Sequence, residues 1–296
     1  MDFNIWMNEK IKSVEQYLIK SIEEKNNPQK LIYEAMNYSL LSGGKRLRPV
    51  ILLAAYELFD KNLEAAMPFA CAMEMIHTYS LIHDDLPAMD NADYRRGKLS
   101  NHKKFGEAAA VLTGDGLLNK AFETGIRAAM ESGIDIEYAV KALYVIADSS
   151  GSEGMIGGQV VDVFGHHKIS TIEDLKYMYS LKTGAIIKSS IKAGALLGKA
   201  EENELKALEC YAEKIGLAFQ IQDDILDVTS TLEKLGKKTG SDEANDKITY
   251  LTFVSIDEAK RQVEKLTMEA IECLSIFDGK EVFLIELAKY LTNRQH

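Results

Sequence analysis

Two strings of aspartates carry the strongest chemical signal in the chain. They are His83-Asp84-Asp85-Leu86-Pro87-Ala88-Met89-Asp90 and Gln220-Ile221-Gln222-Asp223-Asp224-Ile225-Leu226-Asp227. Each closes a segment that is apolar nearly all round, Ala65–Ile82 and Ile215–Ile225. Such segments belong in the middle of a bundle, where a carboxylate costs several kcal/mol unless it is paired or coordinates metal. At about 100° per residue, Glu74, His77, Ser80, Asp84 and Asp85 fall within roughly 140° of arc. Pro87 ends the helix and leaves Asp90 on the next turn to curl back. Gly216, Gln220, Asp223, Asp224 and Asp227 share an arc of about 100°. Carboxylates at i and i+4 lie roughly 6 Å apart and repel. Divalent cations remove that conflict, and oxygen-only ligands suit Mg²⁺, which keeps waters and substrate phosphates beside few carboxylates. Two such stripes facing each other would grip a diphosphate through shared Mg²⁺. One DDxxD string alone often caps or solubilises a helix; two on core helices do not read as solvated faces.

A net charge of −10 argues against nucleic acid as the main partner. A polyanion then needs local cations. Ser42-Gly43-Gly44-Lys45-Arg46-Leu47-Arg48-Pro49 puts two glycines and three cations just ahead of a helix start, where backbone N–H groups and arginine forks suit an anion. Read alone, this string is equally a surface loop. Arg95-Arg96-Gly97 follows the first aspartate string, Lys182-Thr183-Gly184 interrupts an apolar run, and Gly236-Lys237-Lys238-Thr239 and Asp246-Lys247 follow the second. Gly157-Gly158-Gln159-Val160-Val161-Asp162 sets Gln159 and Asp162 one turn apart behind paired glycines, a pattern that also suits a polar helix-packing contact.

The elements that must position these groups are helices. Ile11, Val14, Leu18 and Ile22 recur at steps of three and four. Similar periodicity predicts helices near 31–41, 49–59, 65–85, 107–130, 135–149, 172–197, 203–227 and 255–275. Period-two alternation is missing, so a sheet is not expected. With 296 residues, 46% of them apolar, and no linker or repeat, the chain reads as a single all-α domain over 1–296, a bundle of mostly antiparallel helices around a deep cavity. No stretch approaches the roughly 18 apolar residues of a membrane span and the start lacks an apolar leader, so a soluble, cytoplasmic protein without stable membrane association is expected. Cys71, Cys210 and Cys273 are scattered in apolar helical patterns and read as reduced core cysteines.

The ordered set, from GGKRLRP through HTYSLIHDDLPAMDNADYRRG and FQIQDDILD to DKITY, resembles the trans-isoprenyl diphosphate synthase family, closest to its bacterial-type farnesyl diphosphate synthases. The resemblance implies an Mg²⁺-dependent prenyltransferase, homodimeric, acting on small-molecule diphosphates. It joins isopentenyl diphosphate head-to-tail to dimethylallyl or geranyl diphosphate. It implies that Asp84, Asp85, Asp90, Asp223 and Asp224 hold Mg²⁺ with support from Asp227. Arg95, Lys182, Gln220 and Lys238 or Lys247 would contact the allylic diphosphate. Which of Lys237 and Lys238 takes that role stays open. Gly44, Lys45, Arg48, His77 and Arg96 would bind isopentenyl diphosphate. Thr183, Gln159 and Phe219 would lie by the carbocation, and Tyr79, with Ser80 beside it, would floor the pocket and stop growth near fifteen carbons. Ideal helix geometry puts Tyr79 about 140° from Asp84, so its aim into the pocket comes from the resemblance. No side chain stands out as the base for the final proton; the released diphosphate is the expected acceptor. A class I terpene cyclase shares the metal sites but needs one diphosphate site, which leaves GGKRLRP, His77 and Arg96 surplus. A synthase of another product length, geranylgeranyl diphosphate among them, is the nearer alternative.

Overall fold

The computed structural model describes residues 2–165, 168–229 and 248–292. They group into two compact units, Met1–Leu143 and Tyr144–His296, the division falling within one helix. The first unit holds α1 (Phe3–Ser21), α2 (Lys30–Leu40), α3 (Leu47–Glu57), α4 (Leu63–Asp84), a hairpin of β1 (Tyr94–Arg95) and β2 (Lys98–Leu99), α5 (Asn101–Phe105), α6 (Glu107–Glu131) and the start of α7 (Ile136–Ser150). The second holds α8 (Met155–Phe164), α9 (Ile172–Tyr179), a π-helical segment Ser180–Gly184, α10 (Ala185–Leu197), α11 (Glu202–Thr229), α12 (Ile256–Cys273) and α13 (Val282–Thr292).

In the first unit α4 is the central rod. It packs against α3 on one side and α6 on another, and Phe69, Met73, Met75 and Ile76 are fully covered. Because α4 is apolar on nearly every face, neighbours must surround it. In the second unit α11 lies between α10 and α12. Leu175, Met178, Ala218, Ile221, Ile225 and Val263 form the core there. Thr171 with Asp174 and Ser255 with Glu258 close reciprocal caps that start α9 and α12, satisfying backbone donors that a helix leaves unpaired.

The all-α expectation holds, and the predicted helices match α2, α3, α4, α6, α7, α11 and α12 with ends within two residues. The periodicity reading omits α5 and α13, and three further differences have local causes. The span predicted as one helix over 172–197 is broken by the π-helical segment, where Lys182-Thr183-Gly184 interrupts the apolar pattern. The helix α8 carries Gly157 and Gly158, whose low helix propensity masks its periodicity. The two-residue strands β1 and β2 are too short to show alternation. The cysteine expectation needs correction: Cys210 on α11 and Cys273 on α12 are joined, with Cα atoms 6.2 Å apart, while Cys71 is free and buried. Packing of the two helices brings together residues 63 positions apart, which spacing alone does not signal. Among the described residues no helix is long and apolar enough to cross a membrane.

Candidate active site

In the first unit, α4 delivers Asp84 to its last turn and Asp85 follows as its cap. Pro87 cannot continue the helix, and the chain curls back. The Asp90 N–H donates to the Asp84 carbonyl at 2.9 Å and the Ala92 N–H to the Asp85 carbonyl at 3.2 Å. Asn91 sits in the left-handed region at φ 47° to make this turn. Asp84 is half-buried, Asp85 buried and Asp90 exposed. Burial pushes the Asp85 carboxyl above the usual range, opposed by Arg95, whose guanidinium binds both of its oxygens from β1.

The basic residues of the same unit converge. Arg96 donates to the Gly43 carbonyl and lies over Gly44, where a Cβ would stand 2.7 Å from the guanidinium carbon. Gly44 also has φ +125°, a conformation that other residues rarely adopt, so the backbone favours glycine there. Pro49 sits in the first turn of α3, as the sequence predicts, with Lys45 exposed and Arg48 half-buried ahead of it. Burial and the charges of Arg48, Arg96, Arg95 and Arg46 hold the His77 imidazole well below its ordinary value, so it is neutral at pH 7. Ser80 donates to the His77 carbonyl at 2.9 Å. Tyr79 is buried, its ring edge-on to His83 with centroids 5.8 Å apart. Burial and Asp84 push its hydroxyl up to about 12.

In the second unit, Lys182, Thr183, Gln220 and Asp224 line one cavity of about 210 Å³ together with Asp162, Tyr179 and Thr249. Lys182 reaches Asp162 at 2.5 Å. Gly158 explains how α8 comes so close: a Cβ there would lie 2.3 Å from the Lys182 backbone nitrogen. Asp224 is buried, and its Oδ2 accepts from the Tyr179 hydroxyl at 2.6 Å and from the Tyr250 N–H at 2.7 Å. Asp223 is half-buried and Asp227 buried on the same helix. Gln159 is half-buried on α8 and Phe219 half-buried on α11, neither among the residues lining this cavity. Lys237, Lys238 and Lys247 lie outside the described residues.

Four residues absent from the predicted set belong to these sites by contact. Arg46 and Glu74 form a buried pair beneath the glycine turn, with 2.7 Å between Nη1 and Oε1. Tyr179 and Tyr250 hold Asp224. Glu74 shows itself in the sequence only as the acid on the His77 face of α4; the tyrosines give no signal before α9, α11 and the Tyr250 turn are packed. Among the described residues no three carboxylates, imidazoles or thiols form a preassembled metal cluster. The donor set at each aspartate string is oxygen-only, which fits a hard cation whose remaining positions are taken by water and phosphate. Carboxylates are acceptors at about four positions each, so a side chain held by protein donors can also ligate a cation.

The fold class is that of the all-α isoprenoid synthases. The family model described as Polyprenyl synthetase matches residues 29–278, and the chain belongs to that family. It is 44% identical over 298 residues to a geranylgeranyl diphosphate synthase of Cyanophora paradoxa, covering 100% of this chain and 98% of the relative. It is 46% identical over 258 residues to a farnesyl diphosphate synthase of Geobacillus stearothermophilus, covering 87% and 86%. A crystal structure of geranyltransferase from Helicobacter pylori, complexed with magnesium and isoprenyl diphosphate, superimposes with a TM-score of 0.85 at 29% identity, covering 99% of this chain and 97% of that one. The protein is a prenyltransferase of isoprenoid biosynthesis.

Proposed function

We propose that the enzyme makes farnesyl diphosphate by joining isopentenyl diphosphate to dimethylallyl and geranyl diphosphates. The observation that carries the fifteen-carbon product is Tyr79, a buried aromatic one and a half turns before Asp84, braced by the His83 ring. By the family resemblance, a bulky side chain at that depth, about 7.5 Å along the helix from Asp84 by the usual rise, would floor the pocket that takes the growing chain.

Asp84, Asp85, Asp90, Asp223, Asp224 and Asp227 are the residues proposed to hold Mg²⁺. Bound Mg²⁺ supplies positive charge at the departing diphosphate, where negative charge develops. Arg95 and Lys182, with Gln220 and Thr183, orient the allylic diphosphate and add donors aimed at the leaving oxygen. Lys45, Arg48, Arg96 and neutral His77 hold the second diphosphate, so the isopentenyl double bond is close when the carbocation forms. Gln159 and Phe219 are assigned to the cation pocket on resemblance alone. Apolar helix walls keep water from the cation. A homodimer of one-domain subunits fits this reading. The family model runs through both compact units, and α6 and α7 of the first unit expose Leu112, Ile126, Met130, Ile136 and Val140.

A second reading has a specific observation behind it: the Cyanophora paradoxa relative, which this chain matches over its full length, is a geranylgeranyl diphosphate synthase. Chromatography of the products formed from isopentenyl diphosphate and each allylic starter, with and without Mg²⁺, separates the two. The farnesyl reading expects a C15 product from the wild type and longer products from Tyr79→Ala. A C20 product from the wild type, or unchanged C15 from the variant, removes Tyr79 as the stop.

A further inference from the structure

Glu74 is a carboxylate in the middle of an apolar helix, with a side chain only 1% exposed. Such a group is tolerated when it has a charge partner and hydrogen bonds, and here the partner comes from the glycine turn. Arg46 adopts the left-handed conformation, φ 48°, at the start of α3. That backbone turns its side chain inward while Lys45 remains exposed. The Arg46 guanidinium donates to Glu74 at 2.7 Å and to the Leu40 carbonyl at 2.8 Å, joining α4, the end of α2 and the turn at a single point. The same Glu74 oxygen lies 4.0 Å from Arg96 Nη2. Arg96 in turn covers Gly44 and binds the Gly43 carbonyl. One buried anion thus offsets the repulsion between arginines drawn from two separate segments.

We propose that Glu74 and Arg46 are positioning residues for the diphosphate held by Lys45, Arg48 and Arg96: they touch no substrate, and they fix the turn and Arg96 in the spacing a single diphosphate needs. This rests on the reading of the glycine turn as the isopentenyl diphosphate site. Of the three cations in the turn, one is an internal strut and the other two are ligands. The pair therefore governs affinity for one substrate and leaves the allylic side alone.

The test is steady-state kinetics of the full-length enzyme with each substrate varied in turn, on Glu74→Gln, the double variant Glu74→Gln/Arg46→Gln, and Lys45→Ala. A displaced ligand set is expected to raise KM for isopentenyl diphosphate roughly 10- to 100-fold. The allylic KM and kcat at saturation should stay within about threefold, a change near the noise of context-dependent contacts. Glu74→Gln leaves buried Arg46 with only its longer carboxylate contact, to the half-exposed Glu15 3.7 Å away, and is expected to lower Tm. The double variant removes the pair together, recovers Tm, and is still expected to show the raised KM; Glu74→Asp, which keeps the charge, is expected to sit between it and wild type. A double variant with restored Tm and wild-type KM for isopentenyl diphosphate overturns the positioning role, as does an equal loss on both substrates. Lys45→Ala tells the two failures apart. A raised KM in Lys45→Ala beside a normal one in the double variant sinks only the strut, whereas an unchanged KM in Lys45→Ala sinks the site and the strut with it.

Discussion

Asp85 and Asp224 hold the same place in the two aspartate strings, the second of each adjacent pair, and both are buried, at 2% and 4% exposure. Asp85 lies where a helix has just ended, and a cation holds it: the Arg95 fork reaches it from a short hairpin. Asp224 lies inside α11, which runs on to Thr229, and its contacts among the described residues include a tyrosine hydroxyl and a backbone N–H from packed elements. A charge partner on a hairpin compensates the burial of a carboxylate electrostatically. Donors fixed by core packing set the direction of a carboxylate. At Asp85 the Arg95 fork supplies charge from a hairpin; at Asp224 packed donors supply direction.

The largest expected effect tests whether the strings share one task in spite of that difference. Asp84→Asn and Asp223→Asn remove a carboxylate from each string without changing its size. Each is expected to lower kcat/KM by roughly 10²- to 10³-fold, the scale seen when one group stabilising developing charge is lost. A loss under about tenfold at one position with the full loss at the other would break the equivalence and leave a single string carrying the leaving group.

A smaller effect sharpens the contrast in how the second carboxylates are held. Arg95→Gln leaves Asp85 buried without its cation, and activity is expected to fall about 10- to 100-fold with a higher Mg²⁺ concentration needed for half-maximal rate. Tyr179→Phe removes a hydrogen bond to Asp224, worth about 0.5–1.5 kcal/mol, and is expected to lower the rate no more than about tenfold with the Mg²⁺ requirement nearly unchanged. Rate titrations with Mg²⁺ on both variants distinguish the two modes; equal shifts would mean that Tyr179 also controls charge.

Much of the scaffold beneath this contrast is legible in the amino-acid sequence. Helix positions follow from periodicity, and the return of the chain after Pro87 follows from proline chemistry, which the Asp90–Asp84 backbone bond confirms. The convergence of the glycine turn with Arg96 and of Lys182 with Gln220 is legible only as resemblance, since contacts across 53 positions, as between Arg96 and Gly43, leave no periodic trace. Arg46 is hidden for a different reason. Its inward turn depends on a left-handed backbone that non-glycine residues rarely adopt, so three neighbouring cations look interchangeable. Tyr179 and Tyr250 are hidden because a tyrosine that holds a carboxylate and one that fills a core look alike in sequence until its hydroxyl has a partner. The cysteine pair escapes a sequence reading on the same ground, since Cys210 and Cys273 meet through packing of α11 on α12.

The smallest effect asks whether the charge-built character of the first unit extends to its stability. His77 stands among Arg46, Arg48, Arg95 and Arg96, and burial together with those charges keeps it neutral well below 6.5. In the unfolded chain it takes up a proton as the pH falls through about 6.5. Between that value and the lower folded one, the unfolded state binds more protons, so stability present above about pH 6.5 is lost as the pH falls, at up to about 1.4 kcal/mol per unit. His77→Gln keeps a polar side chain and cannot titrate. Its Tm is therefore expected to drop less than that of wild type between about pH 7 and pH 5.5, by a few degrees for a chain of this size, while Tyr179→Phe, in the second unit, keeps the wild-type slope. A His77→Gln curve parallel to wild type would mean that the imidazole takes up its proton as readily in the folded enzyme as in the unfolded chain, and that the arginines around it are screened well enough to allow it.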